Sequence, residues 1–286
     1  MRENTKQRAP FRRNRRNPMD ALLYAVMVAA FAGVGAILLC ILAYILASGA
    51  GRLSFGFFTG AARDNGIFPM IVTTVYVVLA SLGIALPVGI MTAVFLHEYA
   101  EDSKGARLLR LAIETLAGIP SILYGLFGLL FFCRFCKLGQ SVIAGALTLS
   151  VMILPIIIRT VEESLKTIPQ SVREASLSLG ATAFQTLVHI VLPEALPGIL
   201  TAAILAVGRV VGESAPVLLT VGIARNIPKS VFDSGRTLTI HLYYLTKEAI
   251  HPDDFETAFA TAAALIMLVV VINTAAKIAA RGLKKH

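Results

Sequence analysis

Pro169-Gln170-Ser171-Val172-Arg173-Glu174-Ala175-Ser176-Leu177-Ser178-Leu179-Gly180, followed after nine residues by Ile190-Val191-Leu192-Pro193, is the polar stretch around which the chain is organised. Pro169 can open a short helix, because its fixed φ suits a first turn and its missing N–H has no partner to lose there. That helix runs through Glu174 to Leu179, Gly180 permits the left-handed residue that ends it, and a second helix is expected to run to Leu192. Small residues at Ala175, Ser176 and Ala181 let another surface approach closely, with Arg173 and Glu174 offering charge at the edge. The blander reading is an amphipathic hairpin whose Leu177, Leu179, Leu187 and Ile190 rest on lipid headgroups.

Either way the stretch lies between long apolar runs. Of 286 residues, 56% are hydrophobic and 15% charged, whereas a soluble domain carries about 25% charged residues. A bilayer core about 30 Å thick takes roughly 20 apolar residues in a helix to cross, and six runs approach or exceed that length: 20–47, 67–96, 110–133, 139–160, 198–222 and 256–278. Helices are the expected form, because backbone polar groups find no water in lipid and the runs lack the alternation of an outer-membrane barrel. The reading is an all-α membrane protein of six transmembrane helices: a basic tail 1–19, a membrane domain 20–280 and a short tail 281–286. Two connections exceed what a membrane hairpin needs, at 161–197 and 223–255, and long connections usually carry function. Prolines at Pro87, Pro120 and Pro155 predict kinks or breaks.

The formal charge of +9 owes much to Arg2, Lys6, Arg8, Arg12, Arg13, Arg15 and Arg16, immediately before the first apolar run. That is the pattern of a cytoplasmic anchor rather than of nucleic-acid binding. The run 21–47 is also longer than a secretory signal core of about 7–15 residues, so it reads as an uncleaved first helix. With both termini inside, the cytoplasmic segments also receive Lys104, Arg107, Arg110, Arg159, Lys166, Arg173, Lys277, Arg281, Lys284 and Lys285, and the outer segments receive fewer cations.

Cys40, Cys133 and Cys136, with His97, His189, His241, His251 and His286 scattered, make no metal framework, and ordinary unpaired cysteines are expected. The fifth run contains Gly208-Arg209-Val210-Val211-Gly212-Glu213-Ser214-Ala215-Pro216. A charge at the bilayer centre costs at least about 2.5–3.5 kcal/mol, so Arg209 and Glu213 should face protein or an aqueous path, and four-residue spacing puts both on one helix face. Arginine suits an oxyanion because its planar fork stays charged and meets two oxygens at once. The alternative is an ion pair that fixes packing. Glu114 is expected to pair with Arg110 by the same spacing.

Glu174-Ala175-Ser176-x3-Gly180-x9-Ile190-x-Leu192-Pro193 resembles the EAA signature of ABC importer permeases, Glu-Ala-Ala-x3-Gly-x9-Ile-x-Leu-Pro, with Ser176 replacing the second alanine. Leu116 to Gly128 and Gly208 to Pro216 are similar to phosphate importer permeases, and Phe95-Leu96-His97-Glu98-Tyr99-Ala100 to their PstA-type subunits, over about residues 66–280 in all. His97 stands where an acidic residue is expected in many such relatives. The resemblance implies a type I importer permease fold in the cell inner membrane, without enzymatic activity of its own. It implies that Glu174, Ala175, Ser176, Gly180, Ile190, Leu192 and Pro193 dock into an ATP-binding subunit dimer (PstB-like). A second permease (PstC-like), a periplasmic or extracytoplasmic phosphate-binding protein (PstS-like) and membrane lipid are the other implied partners, with no nucleic acid. By matching position, Arg209, Glu213 and Arg159 would line the phosphate path. No cofactor is expected, since the chain has no Gly-x4-Gly-Lys-Ser/Thr loop to hold ATP. Molybdate or sulfate permeases, an ATP-independent channel or secondary transporter, and a non-transporting scaffold are the competing readings.

Overall fold

The structure is a computed structural model and describes residues 18–60, 66–100, 103–249 and 252–283. The seven N-terminal cations, Arg63, His251 and the cations at 284–285 with His286 lie outside the described residues. Two units divide at Ala47 and Ser48. The described part of the first, residues 18–47, lies within one helix, α1 (Pro18–Gly49), whose only charged residue is Asp20. Its 32 residues extend about 48 Å at 1.5 Å per residue, more than a bilayer core requires.

In the second unit a short α2 (Phe55–Thr59) precedes α3 (Phe68–Val94), which closes with a widened turn at Phe95–Tyr99. There follow α4 (Lys104–Ala117), α5 (Ser121–Gly128) with a widened segment Leu129–Phe135, and α6 (Val142–Lys166). The polar stretch forms α7 (Gln170–Ser178) and α8 (Ala183–Thr186), the latter continuing through Leu187–Val191 into α9 (Leu192–Gly212). The remaining elements among the described residues are α10 (Ala215–Thr220), α11 (Leu238–Glu248) and α12 (Pro252–Leu283).

The central helix is α6: 67% of its apolar window is buried within the protein, against 33% or less for the spans of α3, α9 and α12. Leu149, Ile153, Ile157, Val161 and Leu165 are wholly buried along it. Lipid supplies no hydrophobic drive between helices, so close contact and hydrogen bonds must hold them. Ser150 Oγ donates to Ser81 O of α3 at 3.0 Å, and Gly128 of α5 lies so near Thr148 and Thr220 that a Cβ there would collide with both.

Among the described residues five helices are long and apolar enough to cross a membrane, and a sixth if α4 and the segment Ser121–Phe135 count as one span despite a bend of 102°. The expected third span, 110–133, is therefore not one straight helix. Pro120 cannot donate and biases its predecessor away from helix, so the chain turns at Gly118-Ile119-Pro120; Tyr124 then donates its hydroxyl back to Leu116 O at 2.7 Å, tying the two limbs. Pro87 and Pro155, by contrast, sit inside uninterrupted helices, each removing one helical donor without ending the helix. The fifth expected span, 198–222, also differs: α9 stops at Gly212, because a helix reaching Pro216 would set its ring against the carbonyl of Gly212.

Candidate functional site

The hairpin at 169–193 forms much as its residues dictate. Pro169 is the N-cap of α7, and Gly180 adopts φ +87° just past its end. Thr182 and Gln185 cap α8 reciprocally, side chain to backbone N–H in both directions. The second limb does not end at Leu192. It continues as a single helix of 30 residues from Ala183 to Gly212. Pro193 removes a donor inside it, and the five-residue widened turn Leu187–Val191 immediately before absorbs the misfit.

The structure separates the hairpin's candidate residues. Glu174, Ala175, Gly180 and Pro193 are exposed, while Ile190 and Leu192 are half-buried. Ser176 is buried, its Oγ 2.9 Å from Thr186 Oγ1, so it clamps the two limbs together instead of lining an outer surface. Arg173 is not an edge charge either. Its Nη2 lies 3.0 Å from Glu98 Oε1 and 3.0 Å from His97 Nε2, and donates to Leu165 O at 3.3 Å. A guanidinium only donates, so His97 Nε2 accepts and carries its proton on Nδ1. Arg173 thereby ties α7 to the turn after α3 and to the last turn of α6. Phe184, 67% exposed compared with 89% for Leu179, is a surface residue not singled out from the sequence; a lone aromatic in a polar linker has no spacing signal.

At the far end of the rod, Arg209 Nε meets Glu213 Oε1 at 2.9 Å. The pair lies at the end of a helix rather than in its middle: Arg209 is in the last turn of α9, where a cation suits the helix dipole, and Glu213 is the extended C-cap residue. Glu213 is nearly buried, whereas Arg209 keeps about half of its side chain uncovered. Thr201, Leu205, Gly208, Arg209 and Gly212 form one exposed stripe along α9. Thr239 Oγ1 donates to Glu213 O at 3.0 Å and so pins the break to α11. Between Phe184 and Arg209 the rod measures about 38 Å at 1.5 Å per residue.

Arg159 is elsewhere. Its Nη2 pairs with Glu114 Oε1 at 3.0 Å, while Arg110 Nε pairs with Glu162 Oε1 at 3.1 Å. The expected Arg110–Glu114 pair is thus replaced by two bridges from α4 to α6, because the bend at Pro120 lays α4 across α6. These groups, with Lys166, line a cavity of about 380 Å³. Among the described residues no three His, Cys, Asp or Glu converge as metal ligands. The cysteines are free, and Cys133 Sγ donates to Thr220 O at 3.7 Å.

The family model described as binding-protein-dependent transport system inner membrane component matches residues 85–285. The chain belongs to this family. As an inner membrane component it is a multi-pass protein and a transporter permease subunit. It is similar to the probable ABC transporter permease protein YqgI of Bacillus subtilis, at 34% identity over 85% of this chain and 89% of that one. It is also similar to the phosphate transport system permease protein PstA 1 of Mycobacterium tuberculosis, at 39% over 68% of this chain and 62% of that one. Among solved structures, a chain of the inward-facing MetNI methionine ABC transporter aligns with TM-score 0.62 at 24% identity, covering 81% of this chain and 99% of that one. A chain of a bacterial alginate ABC transporter, solved with its alginate-bound periplasmic protein, aligns with TM-score 0.70 at 16% identity, covering 93% and 96%. These likenesses establish the fold, that of type I ABC importer permeases.

Proposed function

We propose that this inner membrane component is one of two permease subunits of an ATP-driven phosphate importer, forming half of the pathway. The observation that carries the reading is that one unbroken helix bears the Gly180 hairpin at one end and the Arg209–Glu213 pair at the other, in a chain whose relatives include phosphate permeases.

A half-uncovered arginine is costly against lipid, so the stripe through Arg209 faces water or the second permease. Its fork receives two phosphate oxygens, and Glu213 weakens the grip enough for release. The same carboxylate accepts a hydrogen bond from a protonated phosphate oxygen, which fully ionised sulfate cannot offer. Both termini and the hairpin are cytoplasmic, and the 223–255 connection faces the binding protein, in accord with the cation distribution. Glu174, Ala175, Leu179 and Phe184 meet the ATP-binding subunit dimer, which hydrolyses ATP; this chain needs no cofactor. Closure of that dimer pushes the hairpin, and the rod transmits the push to the break at Glu213 as rigid-body rocking.

The test is uptake of labelled phosphate by the reconstituted complex, with sulfate and molybdate as competitors. Arg209→Ala should abolish phosphate flux while ATPase subunits still co-purify. Undiminished flux in that variant, or preferential uptake of another oxyanion, sinks the proposal.

A further inference from the structure

Beside α11, away from the Arg209–Glu213 pair, a second cluster holds two arginines that form no ion pair among the described residues. Arg236 is only 5% exposed. Its Nε donates to Ile223 O at 3.1 Å and its guanidinium carbon lies 4.6 Å from the centre of the Tyr244 ring, yet its Nη1 is buried without a partner. His241, 9% exposed, likewise has Nδ1 buried and unpartnered. The two residues line a cavity of about 60 Å³ with Arg225, Tyr244 and Glu248. A water needs at least about 10–15 Å³ on this measure, so the space takes one small tetrahedral ion or a few waters.

A buried guanidinium with an idle donor and a second arginine beside it is an unstable arrangement unless an anion offsets it. Among the described residues neither arginine forms an ion pair; Glu248 lines the cavity without reaching either within salt-bridge distance. We propose that Arg225, Arg236 and His241 form a binding site for one phosphate-class oxyanion. Arg236 Nη1 and His241 Nδ1 donate to it and Arg225 closes over it from the exposed side. Burial and the charges of Arg236 and Arg225 bring the His241 pKa down to about 4, so the ring is neutral at pH 7 and free to carry its proton on Nδ1. The Glu248 carboxylate on the cavity wall disfavours a fully ionised ligand and accepts a hydrogen bond from one that keeps a proton, which favours phosphate over sulfate. The site also communicates with the proposed path. Thr237, next to Arg236, shares a hydroxyl contact of 2.9 Å with Thr239, and Thr239 holds the carbonyl of Glu213.

The inference rests on the phosphate reading for the identity of the ion, but its test needs neither ATP nor flux, so either can fail alone. The full chain, purified in maltoside detergent free of phosphate, is titrated with radiolabelled inorganic phosphate. Saturable binding is expected, about tenfold weaker in Arg225→Gln and in Arg236→Gln, with sulfate a poor competitor. Arg225 is exposed, so its variant tests the site even if Arg236→Gln fails to fold. Absence of saturable binding, equal affinity in Arg225→Gln, or equal competition by sulfate overturns the proposal. Displacement by short-chain phosphatidylglycerol at the same concentrations would reassign the site from a free ion to a lipid headgroup and overturn it as stated.

Discussion

Gly180 separates backbone strain from crowding. Its φ is +87°, and a Cβ built there meets nothing within 4 Å, so a larger residue loses stability only through the left-handed backbone. Gly180→Ala should therefore lower stability by about 1–2 kcal/mol, and Gly180→Asn by less, since asparagine tolerates that region. Thermal melts of the purified protein that rank glycine, asparagine and alanine in any other order would refute the argument. Glu213 offers a second residue-level test, of chemistry instead of strain. Glu213→Gln keeps the shape and loses both the negative charge that offsets Arg209 and the strong acceptor for a phosphate proton. Competition uptake should show sulfate becoming several-fold more effective, because Arg209 is then unneutralised and the discriminating acceptor is gone. Unchanged competition would leave Glu213 a packing residue.

The elements show where reading the sequence succeeds and where it stops. The turn at Gly180 and the opening at Pro169 were legible because each depends on the φ of a single residue. The third and fifth spans were not: hydropathy sums composition over a window, and neither Pro120 nor Pro216 changes that sum much while each ends a helix. Conversely, Pro193 looks like a terminator in sequence but is carried through by the widened turn Leu187–Val191, a compensation with no composition of its own. The role of Arg173 was equally hidden, since its partners Glu98 and His97 come from 75 and 76 positions away. That anchor gives a prediction for the whole hairpin. Arg173→Gln removes one side of a partly buried pair with Glu98, a loss of about 2 kcal/mol when a charged hydrogen bond is left unmade. The hairpin should still fold, because Ser176–Thr186 and the Thr182–Gln185 box are intact, but should no longer move α3 and α6 with it. In the reconstituted complex, ATP hydrolysis persisting while transport falls is the expected signature; a parallel fall of both would mean that Arg173 serves stability alone.

For the whole molecule, membership of the family and the helical fold were legible because apolar run length and the Glu174 to Pro193 intervals survive in one dimension. The cluster of Arg225, Arg236 and His241 was not, because residues 11 and 5 positions apart on a loop and a short helix share no periodicity and meet only when α11 packs against the unit. Its burial has a consequence for stability of the entire fold. In an unfolded chain His241 takes up a proton below its ordinary pKa of 6.5; folded, it does so only below about 4. Between those values the unfolded state binds more protons, so stability declines as pH falls through the window, and this residue adds no further decline below about 4. The full effect is roughly 3 kcal/mol, because each tenfold loss of proton affinity on folding is worth about 1.36 kcal/mol. Melting of the detergent-purified protein in phosphate-free buffer from pH 7 to 4.5 should therefore fall more steeply for wild type than for His241→Gln, whose side chain does not titrate. Carboxylates common to both proteins cancel in that difference, and coincident slopes would show that His241 is charged or solvated in the folded protein, contrary to its place behind Arg236.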